Sequence, residues 1–419
     1  MRIATESLSN ETNAADPSAD TGMPDTGRPW AIYLMFGLYG VQQGMLGPAM
    51  PFVRAELGLD LRTVGLHFAA YALGLALIGF PYRWLTHRQL PTGIGQISIL
   101  SIVVSSGLFA LSGTLPLTLL AAAAAGLSGG LVLVTGQAKL GARYRAYAAP
   151  KLAEAHVVAG VCVLGGALLI GGATWAGGSW RIAPAAVALA AALFAAVPSR
   201  TYRRDEAALR VTGARQVDCE AERLPLALQI SLGALVILGI SAEWGVGFWG
   251  AEYMKDSLAC SASTAATLMS VYFGGTVCGR IVSSRLLRTI PPRALLVAVA
   301  LGAIATFAAL QASNHVSIVA GLAVLLGACL GNFFPLILGA AMRVAPYAGS
   351  TLSARASQAV GVALLIAPFL LGMLSERVGM RSAFATLIAY PALMLPVMLG
   401  LRGVSTTRQG RTSKGASAK

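Results

Sequence analysis

The chain is 419 residues long, with 56% hydrophobic residues, only 11% charged ones and a formal net charge of +14. Soluble domains carry about a quarter of their residues as charged ones, so this composition excludes an ordinary soluble fold and implies an integral membrane protein. The positive excess would suit nucleic-acid binding only if it were clustered on one soluble face, and it is not.

Residues 1–29 are polar and rich in Ser, Thr, Asp, Glu and Pro, and lack the apolar core of a secretory leader, so they read as a disordered cytoplasmic tail. Beyond them, about 20 apolar residues suffice to cross a hydrocarbon core of about 30 Å. Twelve such segments follow: 31–51, 63–82, 93–113, 115–138, 153–175, 182–198, 226–250, 264–285, 294–313, 316–341, 355–375 and 382–401. With the N-terminus inside, the cytoplasmic tails and loops hold 25 of the 31 Lys and Arg residues, leaving Arg54, Arg62, Arg181, Lys255, Arg377 and Arg381 outside. The positive-inside rule then places both termini in the cytoplasm, and the net charge is topological.

The first segment carries Tyr39, Gln42 and Gln43. Tyr39 and Gln43 are four residues apart and share a helix face, either lining a cavity or gluing helices together through amide hydrogen bonds. The fourth has a small-residue surface of Gly126, Gly129, Gly130 and Gly136 beside Thr135 and Gln137, which lets another helix approach closely. Glu154 opens the fifth beside Lys151 and reads as a loop ion pair. A charged linker, 199–225, divides the chain into an N-terminal six-helix unit, 30–198, and a C-terminal one, 226–401, followed by a basic tail, 402–419, suited to anionic lipid headgroups. At an offset of 200 residues, Gly74 matches Gly274, Gly79 matches Gly279, Arg88 matches Arg288, Gly172 matches Gly372 and Arg181 matches Arg381, as a duplicated unit requires.

The seventh segment holds Glu243, the one acid well inside an apolar stretch. An ionisable group in hydrocarbon costs several kcal/mol and persists only facing a bundle interior or a wet cavity, so Glu243 is either a proton carrier or a structural hydrogen-bonder. Seventeen residues beyond Leu226, at about 1.5 Å each, it falls in the outer part of the membrane. In the tenth segment, Gly331-Asn332-Phe333-Phe334-Pro335 combines a proline that frees a carbonyl in mid-membrane with a polar amide, a pattern of path-lining helices. The four histidines and five cysteines are scattered, so no metal or cofactor is expected, and no nucleophile, base and ligand set points to an enzyme.

The twelve segments, the mid-chain linker and the loop carrying Gly372, Leu374, Glu376, Arg377, Gly379 and Arg381 resemble the major facilitator superfamily. Gly79 and Arg88 after the second segment, and Gly279, Arg280 and Arg285 after the eighth, fit the same loop pattern, although Arg83 and Ser284 stand where an acid is usual. Glu243, Trp249 and Tyr253 are similar to a helix 7 pattern of bacterial permeases related to fucose permeases, with Phe248 in place of an aspartate. The resemblance implies an all-α membrane protein of two six-helix bundles in a bacterial inner membrane, monomeric and working by alternating access. It also implies a small polar solute such as a sugar, with protons as the coupling partner and without nucleic acid. Candidate lining residues are Tyr39, Gln43, Gln137, Trp249 and Asn332, with Glu243 for the proton and Arg88, Arg280, Glu376, Arg377 and Arg381 for gating. The alternative is proton-driven efflux of a lipophilic or cationic compound.

Overall fold

A computed structural model describes residues 29–78, 84, 93–144, 148–196, 225–345 and 349–398. The two tails, the linker and Arg88 lie outside these residues. The elements are α1 (Trp30–Leu57), α2 (Leu61–Leu77), α3 (Ile94–Leu111), α4 (Leu115–Tyr144), α5 (Ala148–Trp175), α6 (Ile182–Ala196), α7 (Leu226–Leu258), α8 (Ala262–Leu286), α9 (Pro292–Ala312), α10 (Val316–Leu330), α11 (Phe333–Val344), α12 (Gly349–Val378) and α13 (Met380–Ala385), the last continuing through a 3-10 turn.

Among the described residues nine stretches are long and apolar enough to cross a membrane, α10 and α11 counting as one and Met380–Met398 as another. Two shorter apolar helices, α2 and α6, and the 28-residue α1 occupy the remaining expected places. Large apolar side chains such as Val104, Leu111, Leu189, Leu193, Leu301 and Leu325 lie exposed on the outside, a belt that only lipid would cover at no cost.

Local signals set the helix ends. Asp60 caps α2, its Oδ1 accepting from the Thr63 amide at 2.7 Å, and Ser261 caps α8 through the Thr264 amide at 3.1 Å. Gly58 ends α1 at φ 62°, a conformation that costs a residue without a Cβ nothing. The gap between α10 and α11 follows from Pro335, which has no N–H to give the carbonyl four residues earlier, that of Gly331.

Packing gives each half the same internal motif. In the first half α2 meets α4 so closely that a Cβ on Gly126 would stand 1.8 Å from the Tyr71 carbonyl oxygen, and one on Gly74 2.0 Å from that of Ala123. In the second, α8 meets α10 with Gly327 against the Tyr272 carbonyl at 2.1 Å and Gly275 against that of Val324 at 2.2 Å. Tyr71, Gly74 and Gly126 thus correspond to Tyr272, Gly275 and Gly327, an offset of 201 residues. The matching glycine of Gly74 in this interface is Gly275, one residue past the expected Gly274, which instead faces Leu164 of α5. Abundant glycines permit a false match in register; contacts decide the true one.

The halves meet along two antiparallel pairs, α5 with α8 and α2 with α12, and where α1 crosses α7. The α5–α8 pair runs antiparallel along its length: Gly171 faces Thr267, Leu164 faces Gly274, and Gly160 faces Arg280.

Candidate functional site

At the middle of α7, the Glu243 carboxylate Oε1 accepts a hydrogen bond from Arg280 Nη2 of α8 at 3.3 Å. Arg280 Nε donates to the Gly331 carbonyl at 2.9 Å, the oxygen that Pro335 leaves without a helical donor. The Tyr272 hydroxyl donates to the Glu243 backbone carbonyl at 2.9 Å. An ion pair of a buried glutamate and a partly exposed arginine on neighbouring helices is therefore tied to the break in the tenth segment, beside the α5–α8 interface.

Helix α7 is 33 residues long and continues past Tyr253 to Leu258, so Glu243 stands near the middle of that helix. The segment's polar outer turns had concealed that length. Arg280 lies less than two turns before the end of α8.

Away from this pair, toward the α1–α2 and α7–α8 turns, the halves are sealed together. A Cβ on Gly47 would come 2.3 Å from the Gly247 carbonyl oxygen, so α1 and α7 touch backbone to backbone. Arg54 Nη1 reaches Glu252 Oε2 and Asp256 Oδ2, each at 3.2 Å. Phe68 stacks on Phe248 with centroids 4.6 Å apart, and Trp249, fully buried, packs edge-on to Phe68 and against Gly65 and Gly372. Its Nε1 donates to the Pro368 carbonyl at 2.8 Å. The Leu61 amide donates to Glu376 Oε1, joining the start of α2 to the end of α12. The Asp60 carboxyl, in the adjoining turn outside the spans, is held below the usual carboxylate range by its hydrogen bonds from Thr63.

The other expected residues fall in several places. Tyr39 is buried with its ring against Gly129, and Gln43 is buried on the same helix. Gln42 is the hub of a network within the first half: its Nε2 donates to Ser105 and Ser106 Oγ, each at 2.8 Å, and its Oε1 accepts from Ser128 Oγ at 2.9 Å. Beside it lies a cavity of about 20 Å³ also lined by Tyr71, room for about one water. Gln137 is exposed, whereas Lys139, two residues on, is buried. Asn332 is buried and spends its Nδ2 on the Ala328 carbonyl at 2.6 Å. Arg377 is exposed, and Arg381 Nη2 donates to the Gln311 carbonyl at 2.6 Å. Glu154 pairs with Lys151 at 2.9 Å as its sequence position implied.

Neither the Arg54–Glu252 latch nor the partner of Glu243 is marked in the sequence. The available signal for the latch was Glu252, a second acid at the edge of an apolar stretch, with Arg54 among few cations on that side. Among the described residues no group of three or more His, Cys, Asp or Glu could hold a metal ion.

The sequence model of the Major Facilitator Superfamily matches residues 232–418, the second half of the chain. Among solved structures, the chain is similar to a bacterial homologue of the human lysosomal transporter Spinster. The inward-facing, occupied form aligns with TM-score 0.67 and 16% identity over 88% of this chain and 95% of that one. The inward-facing, unoccupied form aligns with TM-score 0.63 at the same identity and coverage. The chain therefore has the fold of those transporter structures. No curated protein sequence matches it.

Proposed function

We propose that this protein is a secondary active transporter that moves a small polar organic solute across a bacterial inner membrane by alternating access, coupled to protons through Glu243. The observation that carries this reading is the Glu243–Arg280 pair, a buried carboxylate held at 3.3 Å by a partly exposed guanidinium beside the α5–α8 interface. A charge pair in a membrane interior is costly unless it has work to do, and this one lies to one side of the close contacts between α1 and α7.

In this reading the chain has twelve spans in two six-helix bundles, with both termini in the cytoplasm. The Arg54 end is then external, and the described conformation is closed to the outside. The likeness to two inward-facing transporter structures supports that orientation. Opening parts Arg54 from Glu252 and Asp256, Gly47 from Gly247, and Leu61 from Glu376, while α5 and α8 close on the cytoplasmic side. Trp249 belongs to the seal in this scheme. The finer likeness to fucose permeases rests on Glu243, Trp249 and Tyr253. Cation efflux is the weaker reading, because the more exposed member of the central pair is the arginine.

The test is proton movement in proteoliposomes with an enclosed pH dye, as sugars, organic acids and lipophilic cations are added outside. One class should move protons, and Glu243→Gln should abolish that movement. Solute flux with no proton movement, or an unchanged pH dependence in Glu243→Gln, refutes the coupling.

A further inference from the structure

The two members of the central pair differ in what they show to solvent. The Glu243 side chain is 8% exposed and that of Arg280 is 38% exposed. Arg280 uses one donor on the Gly331 carbonyl and one on Glu243, whereas a guanidinium has five. Its Nη1 lies toward α5, 3.3 Å from where a Cβ on Gly160 would stand, so the unused edge is between the two halves. Titratable groups facing Glu243 are Arg280 and Tyr272, both on α8, and His156 of α5 stands against Arg280. Among the described residues no charged side chain of α1, α10, α11, α12 or α13 acts on Glu243.

Resting on the transport reading above, we infer that Arg280 is the anchor for the carboxylate of a small monoanionic organic acid, and that a proton on Glu243 releases Arg280 to bind it. The geometry lets one guanidinium serve two carboxylates in turn. If both were ionised, one negative charge in a low-dielectric interior would be left without compensation. The balanced exchange is that Glu243 takes up one proton to become a neutral carboxylic acid, and the solute carboxylate replaces it on Arg280, which stays protonated. One proton and one monoanion cross together, so the cycle carries no net charge. A phosphate dianion would exceed that balance by one charge, and a cation would meet the arginine first. Linkage makes the coupling reciprocal: the proton tightens solute binding and the solute tightens proton binding by the same factor.

The experiment is thermal stabilisation of the purified full-length chain by probes matched in size and differing in charge. The carboxylates are lactate, glucuronate and benzoate; the neutral probes are glycerol, glucose and benzyl alcohol; the cations are ethanolamine, glucosamine and benzylamine. At least one carboxylate should stabilise the protein, with affinity rising as pH falls by up to tenfold per unit. In Glu243→Gln that affinity should become nearly independent of pH. In Arg280→Gln it should vanish, with Arg280→Lys retaining a weakened response. The double variant Glu243→Gln/Arg280→Gln leaves no unpaired charge, and its melting temperature without probes, compared with wild type, separates loss of binding from loss of fold. In vesicles, uptake of the responding acid should follow the pH gradient and ignore an imposed potassium diffusion potential. Response only to neutral or cationic probes, no response to any carboxylate, a response surviving in Arg280→Gln, or uptake driven by the potential overturns the inference. Glu243-dependent proton movement with a neutral solute would sink the anion assignment and leave proton-coupled transport standing. A carboxylate held by Arg280 that never crosses the vesicle membrane would do the opposite.

Discussion

Replacing Arg54 by alanine removes the cation that joins α1 to both Glu252 and Asp256 of α7. Glu252 is fully buried, and stripping one partner from a buried ion pair costs about 3–5 kcal/mol. The Arg54 side chain is 26% exposed and that of Asp256 is 33% exposed, and exposed pairs contribute about 0–1 kcal/mol. The expected cost is therefore intermediate, about 2 kcal/mol, and in the proposed alternating-access scheme it falls on the sealed conformation alone, since opening there separates these residues. At about 1.4 kcal/mol per factor of ten, the ratio of open to sealed protein should rise about thirtyfold. Double electron–electron resonance reads this between spin labels at Ala55 and Arg377, exposed positions on the two halves, in a background with the five native cysteines replaced. A longer distance component should grow in Arg54→Ala and grow less in Arg54→Lys, which keeps the charge. An unchanged distance distribution together with an unchanged melting temperature would show that the latch does not hold the seal.

Four further substitutions probe the framework. Gly126→Val should cost about 3 kcal/mol or more, since its Cβ meets the Tyr71 carbonyl oxygen at 1.8 Å and backbone cannot yield; Gly107→Ala, with open space around it, should be neutral or stabilising by up to about 1 kcal/mol, and equal melting temperatures for the two would refute the packing. Trp249→Phe keeps a ring in the seal but leaves the Pro368 carbonyl without its 2.8 Å donor, a loss of about 1–2 kcal/mol that thermal unfolding in detergent should detect. Asp60→Asn tests the cap of α2: the carboxyl is held below its usual range by Thr63, so its stabilisation is present at pH 7, begins to fall below the ordinary carboxyl range of about 4 and is lost as pH falls through the lower value it has in the folded protein. The melting-temperature gap between wild type and Asp60→Asn should hold above the ordinary carboxyl range and narrow as pH is taken below about 4, and a constant gap would refute this account.

Several elements were legible because the physics that determines them is local. Apolar length marks a membrane helix whatever surrounds it, and the polarity of loops sorts charge by side. Pro335 removes one donor wherever it stands in a helix, so the freed Gly331 carbonyl was foreseeable before its partner was known. Asp60 and Ser261 cap the helices that follow them for equally local reasons. The repeat was visible as well, although its register slipped by one residue because glycine is common and only close backbone contact distinguishes Gly275 from Gly274.

Pairings between distant segments had no such signature. Sequence alone established a membrane-embedded, helical chain with an internal duplication and one acid deep in an apolar segment. Tertiary structure alone decided that Arg280, not a solvent-filled space, stands opposite Glu243, that Arg54 closes on Glu252, and that Trp249 and Asn332 spend their polar atoms on backbone carbonyls. The reason is that burial and charge compensation depend on which helices are neighbours. Periodicity within a helix indicates which residues share a face, but the partner of that face is set by packing across hundreds of residues of chain.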